Sequence, residues 1–238
     1  MAPRIALACL VVCAGACAPT TSASESLADV IVDAPGATGT GFGDPTHAID
    51  GVHGAGYLAG GTDVYSLNYA DRTYLVVRWS GRRVTNGPGA DLVVFENPFR
   101  TTWNADTYFM DPVVVSVSRD GARWVELPHH YRAADPSTYS TRPEDWEGFA
   151  GVTPVVVNDD THPMSWFDLL AGGDAFDLDE LGTEGDAGEI RANGFRFVRV
   201  TSAAIVTNPD TGASYPRDPA SNGADIDGFA ARGLVSDP

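Results

Sequence analysis

Along the chain, short apolar runs alternate with turns rich in Gly and Pro. The densest run is Leu92-Val93-Val94-Phe95, delivered by Asn86-Gly87-Pro88-Gly89 and closed by Asn97-Pro98. Four consecutive apolar residues, rich in β-formers and too short for a helix, predict a strand buried on both faces. Such a strand is central, and much of the chain must cover it. Residues 73–79 alternate, with Tyr74, Val76 and Arg78 on one side and Leu75, Val77 and Trp79 on the other. Residues 112–128 predict a hairpin. Val113, Val115 and Val117 face one way and Val114, Ser116 and Ser118 the other; Arg119-Asp120-Gly121-Ala122 turns the chain, and Trp124, Val125 and Leu127 return it.

Further strands are predicted over 27–32, 64–68, 152–157 (at an edge, because of Pro154), 195–200 and 226–234. A long irregular segment covers 129–149, and an acidic, Gly-rich one 158–193. No long helical period is visible. Eight or nine short strands separated by turns predict an all-β domain, a single antiparallel β-sandwich of jelly-roll type.

The amino terminus follows a different pattern. One arginine, Arg4, precedes an apolar run over 5–12 and the small residues Ala14-Gly15-Ala16. This order is that of a secretory signal over 1–16, too short in its apolar part to span a bilayer, so the protein is expected to be exported. All three cysteines, Cys9, Cys13 and Cys17, lie in or beside it, so the body of the chain has no disulfides. Ala14-Gly15-Ala16-Cys17 resembles the lipobox of bacterial lipoproteins, with Ala14 where an aliphatic residue is usual. The resemblance implies lipidation of Cys17, a tether over 17–26 and a folded domain over 27–238 anchored at the cell surface or outer membrane. Ordinary cleavage nearby is the alternative.

A formal charge of -17 with a sequence pI near 4.4 argues against nucleic-acid partners and against an electrostatic seat on anionic lipid. Membrane contact is then expected through the lipid anchor alone. There is no lysine, and 24 of the 32 acidic residues are aspartate. Short aspartates suit turns and hard-cation sites alike.

Two features together suggest a family. Ala48-Ile49-Asp50-Gly51 after the first strand and Phe195-Arg196-Phe197-Val198-Arg199-Val200 near the end resemble the discoidin (coagulation factor 5/8 type C), galactose-binding-like fold. The stretches 86–97, 115–124 and 171–178 resemble uncharacterised bacterial cell-surface proteins, many of them expected lipoproteins. The resemblance implies a structural calcium held by Asp50, the backbone of Val52, and Asp225 or Asp227, with Asp44 as an alternative ligand. Calcium takes six to eight oxygens, and such a site would clip the first loop to the last strand. The other reading of Asp50-Gly51 is a turn.

Other chemistry is thinner. Asp174, Asp177, Asp179 and Glu180 are spaced like one turn of a calcium-binding repeat. A single turn is not enough, so Phe176 and Leu178 are expected in the core and the carboxylates in solvent. The five histidines (His47, His53, His129, His130, His162) show no helical i, i+4 pair and read as surface or loop residues. No Gly-x-Ser-x-Gly elbow is present. Glu96 at the end of the central strand is the best single candidate for an acid catalyst. Asp91 lies at the strand's other end, too far away to partner it, so a second carboxylate would have to come from elsewhere, for example Asp111. The alternative is that Glu96 and Asn97 bond loop backbone. Aromatics in two loops, Trp103, Tyr108 and Phe109 with Tyr131, Tyr139 and Trp146, could stack on sugars or pack their own loops. The expected function is a non-enzymatic module that binds an extracellular glycan. A structural protein binding envelope protein partners comes second, and a polysaccharide hydrolase third.

Overall fold

The computed structural model describes residues 25–37, 41–70, 72–102, 106–158, 165–168 and 170–237. The structure is all-β apart from short 3-10 turns and, among the described residues, one α-helix, Gly185–Asn193. Two five-stranded antiparallel sheets carry it. In lateral order the first contains Ser26–Leu27, Asp225–Ala231, Leu92–Glu96 and Asp174–Phe176, with Tyr65–Ser66 also paired along Asp225–Ala231. The second runs Val125–Glu126, Val113–Ser118, Phe197–Ser202, Leu75–Arg78 and Val30–Asp33.

Alternation along the strands builds the core. Leu92, Val94, Phe229 and Ala231 of the first sheet meet Leu75, Val77, Val115, Val117, Val198 and Val200 of the second in one buried cluster. The sheets therefore pack face to face, and each of these larger side chains contributes about 1.5–3 kcal/mol of burial. On the other face of the central strand, Val93 and Phe95 join Val52, Val155, Val157, Trp166 and Ala171. Phe95 meets Trp166 edge-on at 5.8 Å. All five residues of Leu92–Glu96 are buried, as the apolar run predicts.

Several expected strands are redrawn. The run over 27–32 splits at the buried Ala28, giving Ser26–Leu27 to one sheet and Val30–Asp33 to the other. The segment over 226–234 becomes Asp225–Ala231 and then Leu234–Ser236, which pairs with Arg82–Val84. Residues 152–157 form no strand. Their carbonyls at Val155 and Val157 instead accept from Gly56 and Gly54, while the amides of Val156 and Val157 both turn to the Ala171 carbonyl. That path crosses the outer face of the sheet instead of extending its edge.

Asp174 directs the crossing. It is buried, and its Oδ2 accepts the Gly151 and Val152 amides at 2.8 and 3.0 Å, with Thr153 at 3.4 Å. This corrects the expectation of a solvated carboxylate, whereas Phe176 and Leu178 do lie in the core. Gly173 beside it has φ +75, and a Cβ there would stand 2.6 Å from the Phe95 ring. The helix has no apolar stripe: of its nine residues Ile190 is the buried one, which is why no period announces it.

Burial pushes the Asp174 carboxyl up to about 6, against the pull of the amides it accepts. A raised acid favours the protonated fold, so its contribution is fully present below the unfolded value near 3.8 and is lost as pH rises through about 6. The span corresponds to roughly 3 kcal/mol. Asp174→Asn keeps an acceptor oxygen and removes the titration. Urea melts of the two proteins from pH 4 to pH 7 should therefore diverge, with the wild type losing more stability as pH rises. Parallel curves would refute this account.

Candidate functional site

The first candidate site lies where the loop over 44–63 meets the last long strand. Asp44 caps the 3-10 helix Pro45–Ala48, accepting the Thr46 amide at 3.0 Å and its hydroxyl at 2.7 Å. Ala48 points into the core, which fixes His47 toward the outside. The pairing of Asp225–Ala231 with Leu92–Glu96 shifts register between Ile226 and Gly228. Ile226, Phe229 and Ala231 all face the inter-sheet core, so the irregularity turns Asp227 to the other side. There both Asp227 oxygens accept the His53 amide, at 2.9 and 3.1 Å. Burial pushes Asp227 up to about 7, opposed by the His53 amide and ring and reinforced by Asp63 and Asp50.

Four side chains then converge. His47 Nδ1 stands 3.5 Å from Asp50 Oδ2 and closer still to Asp63 Oδ1. His53 Nε2 is 3.4 Å from Asp63 Oδ2 and 4.0 Å from Asp50 Oδ1. The donor atoms of His47, Asp50 and Asp63 all lie within 4.8 Å of one another. Of the expected calcium ligands, Asp50 is in this group and Asp227 borders it. Val52 is wholly buried in the outer apolar cluster. Asp225 belongs elsewhere, its amide donating to Glu96 and its carboxylate bonding Ser66. The set around Asp50 is half imidazole nitrogen, which does not fit the all-oxygen shell of calcium. His47 and His53, expected as loop histidines, lie against the carboxylates of this candidate site, and Asp63 had no motif to announce it.

The second cluster gathers around Glu96, at the same end of the central strand, on the other side of the Ile226/Gly228 irregularity from Asp227. Glu96 is 2% exposed; its Oε1 accepts the Asp225 amide at 2.8 Å, and its Oε2 is buried without a hydrogen-bond partner. Burial, with the charges of Asp111 and Asp225, pushes Glu96 well above the usual carboxylate range. Asp111 Oδ1 accepts the Tyr69 hydroxyl at 2.7 Å and its Oδ2 the Ser221 hydroxyl at 2.5 Å. Burial raises it to about 6 despite both bonds. Asp111, the example the sequence offered, is therefore a neighbour of Glu96; both Asp111 oxygens are tied to the surrounding protein, and Glu96 is tied through Oε1. Asn97 bonds the Gly61 backbone in both directions, at 2.6 and 2.7 Å.

Nearby opens a cleft of about 670 Å³ lined by Tyr108, Phe109, Tyr139, Thr107, Arg217 and Asp218. Tyr108–Phe109 pairs with Phe99–Arg100, which holds the two aromatics at the rim. Tyr139 donates to the Met110 carbonyl at 2.6 Å and rests on Trp146 at 5.7 Å. Two of the four expected sugar-stacking residues are corrected: Trp146 is fully buried and Tyr131 is 7% exposed, both inside an aromatic core with Phe149 and Tyr215. Their apolar area is worth more packed against each other than held open. Trp103 and Cys17 lie outside the described residues, as does most of the expected leader and tether.

Comparison with protein-family models, curated proteins and solved structures found no match to this chain. Among the described residues no helix is long and apolar enough to cross a membrane.

Glu96→Gln keeps both the shape and an acceptor for the Asp225 amide, without a charge to bury. It should change stability by less than about 1 kcal/mol, whereas Glu96→Ala, which orphans that amide and leaves a void, should cost about 2–4 kcal/mol. Chemical denaturation at pH 7 measures both. Equal losses would mean that the carboxylate charge itself is needed.

Proposed function

We propose that this protein is an exported, lipid-anchored surface protein whose sandwich is a jelly roll of discoidin-like type, and that it binds a glycan in the cleft beside Tyr108. The observation that carries the reading is the mixed lining of that cleft. Tyr108, Phe109 and Tyr139 offer apolar ring surface for the C–H faces of a sugar, while Thr107, Arg217 and Asp218 offer donors and acceptors for its hydroxyls. Tyr108, Phe109 and Tyr139 are each partly exposed, so ring surface remains for a ligand. The fold assignment is supported by the two packed antiparallel sheets and by the residues that resemble the discoidin pattern. The anchor rests on the sequence around Cys17.

Binding is favoured over hydrolysis by the state of the acids. Glycosidases need two carboxyls facing the substrate from opposite sides. Here Asp111 accepts from Tyr69 and Ser221, and Glu96 bonds backbone.

On a glycan array the protein should retain a defined set of sugars, and Tyr108→Ala should weaken the best of them at least about tenfold, close to 1.4 kcal/mol, by titration calorimetry. A blank array, together with crosslinks in intact cells to one envelope protein, would replace the glycan with a protein partner.

For the anchor, cells expressing the wild type and Cys17→Ala are fractionated. The wild type should sediment with membranes and incorporate labelled fatty acid, and the variant should do neither. Unlabelled wild-type protein would remove the anchor and leave the cleft reading intact.

A further inference from the structure

We propose that His47, Asp50 and Asp63, with His53 beside Asp63, bind one divalent transition-metal ion of the zinc class, which ties the loop over 44–63 to itself next to the last strand. The proposal is independent of the glycan reading, since none of these residues lines the cleft.

Three observations carry it. The first is spacing. Ligands 2.0–2.1 Å from a tetrahedral ion lie about 3.4 Å from one another. The Asp50–His47 and Asp63–His53 separations are 3.5 and 3.4 Å and Asp50–His53 is 4.0 Å, while His47 and Asp63 stand closer and would move apart around an ion. The second is the state of His47 Nδ1. That atom is buried, and oxygens of both Asp50 and Asp63 close on it. Two carboxylates and an imidazole nitrogen thus crowd one point. The third is charge. Among the described residues the ion-pair partners of Asp50 and Asp63 are these same two histidines, and no arginine pairs with either. Two carboxylates beside the further acid Asp227 therefore leave a negative corner that a cation would neutralise.

Donor chemistry selects the ion. Two imidazoles with two carboxylates suit zinc and its neighbours, whereas calcium and magnesium prefer oxygen alone. The supporting shell is already built. Asp227 holds the His53 backbone, and Asp44 caps the turn that carries His47. His47, Asp50 and Asp63 supply three ligands as they stand, and His53, against Asp63, is placed to supply the fourth; a sphere closed in this way makes the ion structural.

The full-length chain is stripped with chelator, dialysed, and titrated separately with Zn²⁺ and Ca²⁺. Metal content after gel filtration is read by mass spectrometry and stability by thermal melting. The expected result is one zinc per chain, a raised melting temperature, and no displacement by a large excess of calcium. Co²⁺ in place of zinc should give the visible bands of a tetrahedral site with nitrogen ligands. His47→Ala should weaken zinc binding at least about hundredfold. Should that variant fail to fold by circular dichroism, Asp63→Asn, nearly isosteric at a partly exposed position, gives the same readout. Zinc uptake unchanged in Asp63→Asn, calcium binding as tightly as zinc, or no stoichiometric metal at all would each overturn the proposal.

Discussion

A strand buried on both faces has no solvent side, and the architecture follows from that constraint on Leu92–Glu96. Its inward residues Leu92 and Val94 demand a second sheet, which Leu75, Val77, Val115 and Val117 supply. Its outward residues Val93 and Phe95 demand another cover, supplied by irregular chain carrying Val155, Val157, Trp166 and Ala171. Loops can cover a sheet only if their backbone polar groups find partners, since an unpaired buried amide costs about as much as a lost hydrogen bond. Covering the central strand is therefore a hydrogen-bonding problem as much as an apolar one.

Buried acids solve it. Asp91 accepts the amides of Gly87 and Leu178, Asp174 those of 151–153, Asp227 that of His53, and Glu96 that of Asp225. Each carboxylate sits on or beside a strand of the first sheet and fastens a loop. The same four groups are displaced upward by burial, so the fastening has an electrostatic cost. With no lysine in the chain and the paired arginines on the surface, backbone amides stand in for cations. This gives the aspartate excess a structural meaning beyond turn formation. Short side chains reach neighbouring amides without needing room for a longer stem.

The legible parts of the sequence were those with period. The doubly buried run at Leu92, the alternation at Leu75 and the hairpin at Val113 all formed, because two-residue periodicity and a turn signal specify strand and register locally. The misread parts lacked that local signal. Residues 152–157 look like a strand, yet Pro154 and the grip of Asp174 send them across the sheet face. The helix Gly185–Asn193 has no stripe, and ion pairs from Arg119 and Arg123 to Glu189 and Asp186 hold it to the hairpin turn. Aromatics in the long segment could be ligand platform or core, and sequence alone cannot separate these. Area decided it, with Tyr131 and Trp146 packing at 4.1 Å between ring centres. His47, Asp50, His53 and Asp63 were hardest of all, since only the folded loop brings them together.

The last strand shows how one irregularity separates two chemistries. In an unbroken strand Ile226 and Phe229 would face opposite ways. The shifted register lets both enter the core, and so Asp227 emerges beside His53 while Asp225 reaches back to Glu96 and Ser66. A regular strand could keep Ile226 in the inter-sheet core or Phe229, but not both, and would turn one of these large side chains to the opposite face. The bulge thus has a packing cause, and the placement of the two acids is its consequence. Gly228 fits the same logic, because a Cβ there would press to 3.0 Å from Val52, the residue that seals the outer cluster next to His53. Core packing, loop fastening and the candidate metal ligands are consequently coupled through three residues of one strand.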